Sequence, residues 1–207
     1  MKIIVYGPTG WIGKQFCDIL ENNQKDFLPL NTRVDDYDAV LKDIITHNPT
    51  HIISFIGRTH GSKSGKTYTT IDYLEQPGVL KENVRDNLYA PLLLAKLCKD
   101  HSIHYTYLGT GCIFKYDKNH PYEEEINGFK EEDNPNFFGS SYSIVKGITD
   151  RLMFHLNDTS CLNLRIRMPI TNIDNPRNFI TKITTYKKIC SIKNSMSVLP
   201  ELLPIVL

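Results

Sequence analysis

The sequence predicts an α/β fold built on a doubly wound parallel sheet, and three observations carry that prediction. Short apolar runs of strand character alternate with longer segments of helical period, an alternation that implies parallel strands joined by helices. The run Ile52-Ile53-Ser54-Phe55-Ile56 is nearly continuously apolar, as a central strand covered by helices on both faces should be. A glycine-rich turn, Gly7 to Gly13, lies between the first strand and the first helix.

Taken in order, strands are expected near 2–6, 26–30, 50–56, 103–108 and 161–167, and helices near 11–22, 36–47, 79–100 and 140–156. The segments 57–76 and 109–139 are too long to be plain connections in a compact domain, and long loops of that kind usually carry function. No internal repeat or low-complexity tract interrupts the pattern.

The chain has 207 residues, 41% hydrophobic and 23% charged, which is the composition of a soluble globular protein and the length of one domain. Its net charge is +1 and it has no block of Lys and Arg, so nucleic acid is not an expected partner. The five cysteines, at 17, 98, 112, 161 and 190, lack Cys-x-x-Cys spacing, which argues against a disulfide framework. The apolar run Lys2 to Tyr6 is too short for a signal peptide and no run reaches membrane-spanning length, so a cytoplasmic chain without a membrane partner is expected. Asn157-Asp158-Thr159 has the form of a glycosylation sequon and is read as a helix-terminal loop.

In a doubly wound sheet, ligands bind beyond the carboxyl ends of the strands. The notable residues of this chain fall there: Gly7 after the first strand, Asn31-Thr32-Arg33 after the second, Gly57 after the third, Thr110 and Cys112 after the fourth, and Met168-Pro169-Ile170 after the fifth. Gly7-Pro8-Thr9-Gly10-Trp11-Ile12-Gly13 reads G-x-x-G-x-x-G. The glycines permit a tight turn and close backbone approach to a pyrophosphate, which a helix N-terminus favours electrostatically. After the second strand, where a ribose-binding carboxylate is usual, stands Leu30-Asn31-Thr32-Arg33. A guanidinium there favours a 2′-phosphate and hence NADP(H), although Asp35 and Asp36 lie close by.

Tyr142 and Lys146 are four apart on a helix and share a face, so both can point into one cleft, where an ammonium lowers the phenol's pKa and makes it a usable proton donor. Thr110 and Cys112, two apart at a strand end, project to the same side. Together these residues offer a hydroxyl, a thiol, a phenol and an ammonium to one carbonyl substrate, which points to reductase chemistry. Gly61 to Thr67 imitates a P-loop but has one residue too few between its glycines and is read as a flexible polar loop. Cys98, His101 and His104 supply only three donors without a fourth, so no metal is expected. Asn87, in mid-helix, reads either as a structural hydrogen bond near the site or as a solvent-facing side chain.

These residues resemble the extended short-chain dehydrogenase/reductase superfamily. More narrowly, Gly-Trp-Ile-Gly, Gly-Thr-Gly-Cys-Ile-Phe, Gly-Phe-Lys-Glu-Glu-Asp, Arg-Met-Pro-Ile and Asn-Pro-Arg-Asn-Phe-Ile-Thr-Lys-Ile-Thr resemble the nucleotide-rhamnose synthase epimerase/reductases, relatives of dTDP-4-dehydrorhamnose reductase. The resemblance implies NADPH-dependent reduction of a UDP- or dTDP-linked 4-keto-6-deoxy-hexose, preceded by inversion at C3 and C5. It implies Thr110, Tyr142 and Lys146 at the ketone, with Cys112 and Lys182 as the acid/base pair for epimerisation. Cofactor contacts are expected from Gly7, Thr9, Gly10, Trp11, Ile12 and Gly13, then from Arg33, then from Phe55, Ile56 and Gly57. Leu108, Met168 and Ile170 extend the cofactor surface along the rim beside Tyr142 and Lys146. Substrate contacts are expected from Thr110, Cys112, Arg177 and Asn178, the last two at the sugar diphosphate, with helix capping near Pro176 as their alternative role.

By the same resemblance, residues 1–170 form the dinucleotide-binding domain and 171–207 begin a substrate-binding region. The chain stops on an apolar stretch, Leu199 to Leu207, which reads as an interrupted element with an exposed apolar end, prone to self-association and compatible with a homodimer. An incomplete lid over the sugar nucleotide and poor turnover are therefore expected. The rival reading is a non-catalytic NADP-binding module or inactive paralogue, whose expected mark is loss of the Tyr/Lys pair.

Overall fold

A computed structural model describes residues 1–122, 127–156 and 161–207, so the sequon Asn157-Asp158-Thr159 lies outside the described residues. In chain order the first elements are β1 (Lys2–Tyr6), α1 (Trp11–Asn22), β2 (Asp26–Leu30), α2 (Tyr37–His47) and β3 (His51–Ser54). A hairpin of β4 (Gly61–Lys63) and β5 (Lys66–Tyr68) follows, then α3 (Leu80–Val84), a π-helical turn (Arg85–Tyr89) and α4 (Ala90–Asp100). The chain continues through β6 (His104–Thr110), α5 (Ser141–His155), β7 (Cys161–Ile166), α6 (Phe179–Ile183) and α7 (Leu199–Ile205).

Five parallel strands pair in the order β2-β1-β3-β6-β7. Side chains alternate between faces along a strand. Ile3, Val5 and Ile53 therefore meet Phe16 and Leu20 of α1 on one face. Ile4, Tyr6, Ile52 and Tyr105 meet Val40 and Ile44 of α2, Leu94 and Leu97 of α4 and Met153 of α5 on the other. The chain leaves β1 toward β2 and returns to β3 on the opposite side, so a crevice opens beyond the carboxyl ends of β1 and β3.

Local chemistry sets the element ends. Asp36 caps α2 by accepting a hydrogen bond from the Ala39 N–H at 3.1 Å, and Ser140 caps α5 by accepting from the Ser143 N–H at 3.0 Å. The buried Asp150 carboxylate of α5 takes two hydrogen bonds from Arg165 of β7, each 2.8 Å, which locks this helix to the last strand.

The structure departs from the sequence expectations in five places. The third strand stops at Ser54 rather than running to 56, and the fourth runs on to Thr110, because pairing with β7 extends to Thr110–Ile166. The helix expected over 79–100 has a π-helical turn at Arg85–Tyr89. Residues 61–68 are a hairpin and not a flexible loop: Ser64 (φ 51°) and Gly65 (φ 76°) both take the left-handed backbone that a tight two-residue turn needs.

The chain's end differs from the expectation as well. Leu199 and Leu203, four apart, share one face of α7 and are fully buried against Phe16 and Leu20, while Ile170 bridges to Val198 just before the helix. The terminal apolar stretch is thus a docked helix, with Ile205 left 80% exposed. No helix among the described residues is long and apolar enough to cross a membrane.

Candidate active site

The turn after β1 is shaped for close backbone approach. Gly7 takes φ 75°, and a Cβ added at Gly13 would lie 2.1 Å from the Gly7 carbonyl oxygen, so α1 can start this close to the strand only with glycine there. No side chain caps the N-terminus of α1 at Gly10, which leaves its first N–H groups free of intrahelical partners and aimed at the crevice. Beside them lies a cavity of about 310 Å³ lined by Gly7, Asn31, Arg33, Ile56, Gly57 and Arg58, among others. A pyrophosphate fits this uncapped helix start, and the neighbouring guanidiniums suit a further phosphate.

Arg33 is half of the expected picture. Its guanidinium is exposed but already meets Asp35 at 2.6 Å and Asp86 at 3.5 Å. Asp86 is the centre of the cluster and also takes hydrogen bonds from Arg58 and Arg85. Burial pushes its carboxyl upward, and the two arginines outweigh that and hold it below its ordinary value. Asp36, spent on capping α2, does not compete for the crevice. Arg58 and Asp86 were invisible to motif reading, because only the fold brings residues 28 apart in sequence together.

Asn87 takes the first of its two expected roles, a structural hydrogen bond. From the π-helical turn its amide accepts from the Arg58 N–H at 3.0 Å and donates to the Arg58 carbonyl at 2.9 Å, clasping the segment after β3 at two points. A π-turn re-aims one side chain out of the helical register, and such turns cluster at functional sites.

The reactive groups gather beyond β6. Thr110 and Tyr142 are both buried, and the Thr110 side chain stands close enough to the Tyr142 phenol to pull its pKa down. Cys112 is half-buried beside Tyr142. Its N–H donates to Thr110 Oγ1 at 3.1 Å, and its carbonyl accepts from Ser143 Oγ at 2.8 Å. Glu75, arriving from the loop after β5, accepts from the Ser141 and Tyr142 N–H groups at 3.0 and 3.3 Å and so completes the start of α5. Burial, reinforced by Cys112, pushes the Tyr142 phenol well above its usual range, against the lowering influence of Thr110.

The expectation that Lys146 lowers the Tyr142 pKa is therefore corrected. Lys146 shares the helix face but its Nζ reaches past Tyr142 to hydrogen-bond the Tyr107 hydroxyl and, at 3.2 Å, the Leu108 carbonyl. Burial brings its ammonium down to about 7, with Asp150 and Cys112 pulling the other way. The phenol thus holds its proton at neutral pH, which is the form that can donate it.

Lys182, on α6, is partly buried, and burial followed by Arg177 lowers its pKa. Arg177 Nη2 meets His60 Nε2 at 2.9 Å, which joins the loop after β3 to the segment after β7. Burial, then Arg177, Arg58 and Lys182, lower the His60 pKa. His60 belongs to this basic group and carries no sequence signal, being a lone loop histidine.

Asn178 takes the alternative of its two expected roles, a structural cap. Its amide oxygen accepts from the Ile180 N–H, and its two amide hydrogens go to the Thr171 and Ile173 carbonyls at 2.8 and 2.9 Å, all of it buried. No group of three or more His, Cys, Asp or Glu among the described residues is arranged to hold a metal ion. Cys98 is buried in the core instead, and the His104 ring packs on His51 at 5.3 Å.

No family model matches the chain. The crystal structure of a UDP-rhamnose synthase from Acanthamoeba polyphaga mimivirus superposes with a TM-score of 0.90 and 52% identity, covering 99% of this chain and 69% of that one. The chain belongs to the UDP-rhamnose synthase family, within the extended short-chain dehydrogenase/reductases. An Arabidopsis thaliana bifunctional dTDP-4-dehydrorhamnose 3,5-epimerase/dTDP-4-dehydrorhamnose reductase is 39% identical over 205 residues, 99% of this chain and 64% of its own length. A trifunctional Arabidopsis enzyme that joins a UDP-glucose 4,6-dehydratase to the epimerase and reductase is 41% identical over 206 residues, and there this chain spans only 29% of the whole.

Proposed function

We propose that this chain reduces a nucleotide-linked 4-keto-6-deoxy-hexose with NADPH after inverting C3 and C5, in the making of an L-rhamnose nucleotide. The observation that carries this reading is the buried Thr110–Tyr142 hydroxyl pair with the Cys112 side chain beside it, at the carboxyl rim of the sheet. A plain reductase needs only the hydroxyl pair. A thiol next to it supplies what epimerisation also requires, an acid/base group beside the ketone that acidifies the neighbouring C–H bonds.

The family's names support the substrate class, and the NADP complex of a dTDP-4-dehydrorhamnose reductase from Bacillus anthracis puts that cofactor on this fold at a TM-score of 0.67. The residues proposed to hold the cofactor are Gly7 through Gly13, Arg33, the Phe55–Gly57 segment, Leu108, Tyr142, Lys146, Met168 and Ile170. When bound, NADPH supplies the hydride for C4. Thr110 and Tyr142 hydrogen-bond the ketone oxygen, and Tyr142 gives its proton to the alkoxide. Lys146 is poised near Leu108 for the ribose. Cys112 and Lys182 act as the acid/base pair on the two faces of the sugar, with Arg177 at the diphosphate.

We further assign residues 1–170 to dinucleotide binding and 171–207 to the start of the substrate region, in a cytoplasmic protein. The exposed apolar residues Ile144, Ile148 and Leu152, at four-residue spacing on α5, support self-association as a homodimer. A non-catalytic cofactor module gains no support from a site in which Thr110, Tyr142 and Lys146 are all kept and buried.

Mixing the chain with NADPH and either UDP- or dTDP-4-keto-6-deoxyglucose, and following the loss of NADPH absorbance, tests the reading and the nucleotide at once. Oxidation with at least one sugar is expected, and none with either would remove the proposal.

A further inference from the structure

Arg167 and Arg177 differ from the other arginines around the site. Arg33, Arg58, Arg85 and Arg165 each meet a carboxylate. Arg167, directly after β7, meets none among the described residues. Its Nη1 donates to the Gly111 carbonyl at 3.1 Å and points at Cys112 Sγ at 3.6 Å, while its Nε donates to Asn194 Oδ1 at 2.7 Å. The full charge of a guanidinium is thus turned onto neutral oxygens and one sulfur.

The backbone is arranged to hold it there. The Arg167 N–H donates to Ser197 Oγ at 3.0 Å and the Arg167 carbonyl accepts from the Ser197 N–H at 2.8 Å. The next residue, Met168, takes φ 41°, a left-handed conformation that a long side chain adopts only when its surroundings impose it. Tyr116 OH donates to the Lys193 carbonyl at 2.8 Å, so the segment bearing Asn194 is tied to the loop that follows Cys112. Two segments far apart in sequence therefore converge on one contact, a guanidinium against a sulfur.

We infer that Arg167 is a positioning residue for epimerisation: it fixes the Cys112 side chain and offers its charge to the sulfur when that sulfur is a thiolate, with Asn194 fixing Arg167 in turn. The inference rests on the reading of Cys112 as an epimerisation base. In the step concerned, the thiolate takes the proton from the carbon next to the C4 ketone, so the C–H bond breaks and an S–H bond forms. The electron pair moves onto the ketone oxygen as an enolate. The Lys182 ammonium then delivers a proton to the opposite face of that carbon, and solvent returns the proton from the Cys112 thiol to the Lys182 amine. Negative charge leaves the sulfur in this step and comes back at its end. A guanidinium is permanently protonated and meets an anion with a fork of donors, which suits it to a site whose charge comes and goes.

The test compares two readouts in one protein: deuterium wash-in at C3 and C5 from heavy water without NADPH, and NADPH oxidation with UDP-4-keto-L-rhamnose, whose centres are already inverted. Arg167→Gln should lower the ratio of exchange to reduction about tenfold or more, and Arg167→Lys, which keeps charge but not the fork, should recover part of it. Asn194→Ala should move the ratio in the same direction by less, and it decides the matter if Arg167→Gln fails to fold. Equal losses of exchange and reduction in these variants would make Arg167 a scaffold residue and overturn the inference. An unchanged ratio alongside a Cys112→Ala variant that has lost exchange would overturn it while leaving Cys112 as the base. Full exchange in Cys112→Ala would remove the base reading, and the inference with it.

Discussion

Replacing Lys146 with Met should stabilise the protein near neutral pH while slowing reduction, and the size of the first effect follows from where the ammonium sits. Burial brings its pKa from the ordinary 10.5 down to about 7. A lysine whose folded pKa is depressed binds fewer protons folded than unfolded, so its cost to stability is full below about pH 7 and fades as pH rises toward 10.5. At ~1.4 kcal/mol per pH unit, that cost near neutrality is on the order of 4 kcal/mol. Met fills similar space without charge but leaves the Tyr107 hydroxyl and the Leu108 carbonyl without this donor, an offset of about 1–2 kcal/mol. The net gain is about 2–3 kcal/mol, which in a chain of this length raises Tm by roughly 4–12 °C. Thermal unfolding followed by circular dichroism across this pH range measures it, and the gain should shrink as pH rises. A variant less stable than the parent near neutral pH, or a gain that grows with pH, would refute the burial argument.

Tyr142→Phe removes the donated proton alone, so NADPH oxidation should fall about 10²–10⁴-fold while cofactor affinity, read by fluorescence titration, stays close to that of the parent; parental turnover would sink the mechanism. Arg33→Ala should weaken NADPH by about tenfold and NADH much less, and an equal effect on both would make Arg33 a bystander held by Asp35 and Asp86. Leu203→Ala opens a cavity between α7 and α1 and should cost about 2–4 kcal/mol in denaturant unfolding. An unchanged midpoint would mean that α7 is not docked.

The sheet and its rim were legible because they rest on local signals: short continuous apolar runs, a glycine turn, and polar residues just past strand ends. The failures share a cause, which is that sequence gives faces and not rotamers or distant partners. Spacing placed Lys146 on the face of Tyr142 but could not show that Nζ bypasses the phenol for Tyr107. Asn178 looked like a ligand contact because a cap and a contact use the same amide. Leu199 and Leu203 looked exposed because their partners, Phe16 and Leu20, lie at the other end of the chain. Arg58, His60 and Asp86 matter only through neighbours that the fold delivers, and no motif marks them; Arg167 opens the Arg-Met-Pro-Ile motif, but its contact with Cys112 is likewise delivered by the fold.

The central claim is that one site both inverts and reduces. Incubating the chain with NADPH and UDP-4-keto-6-deoxyglucose in heavy water, and reading the sugar product by NMR, tests it most directly. A UDP-L-rhamnose product with deuterium at C3 and C5 is expected. A reduced sugar that keeps the D-configuration and carries hydrogen at both carbons would contradict it.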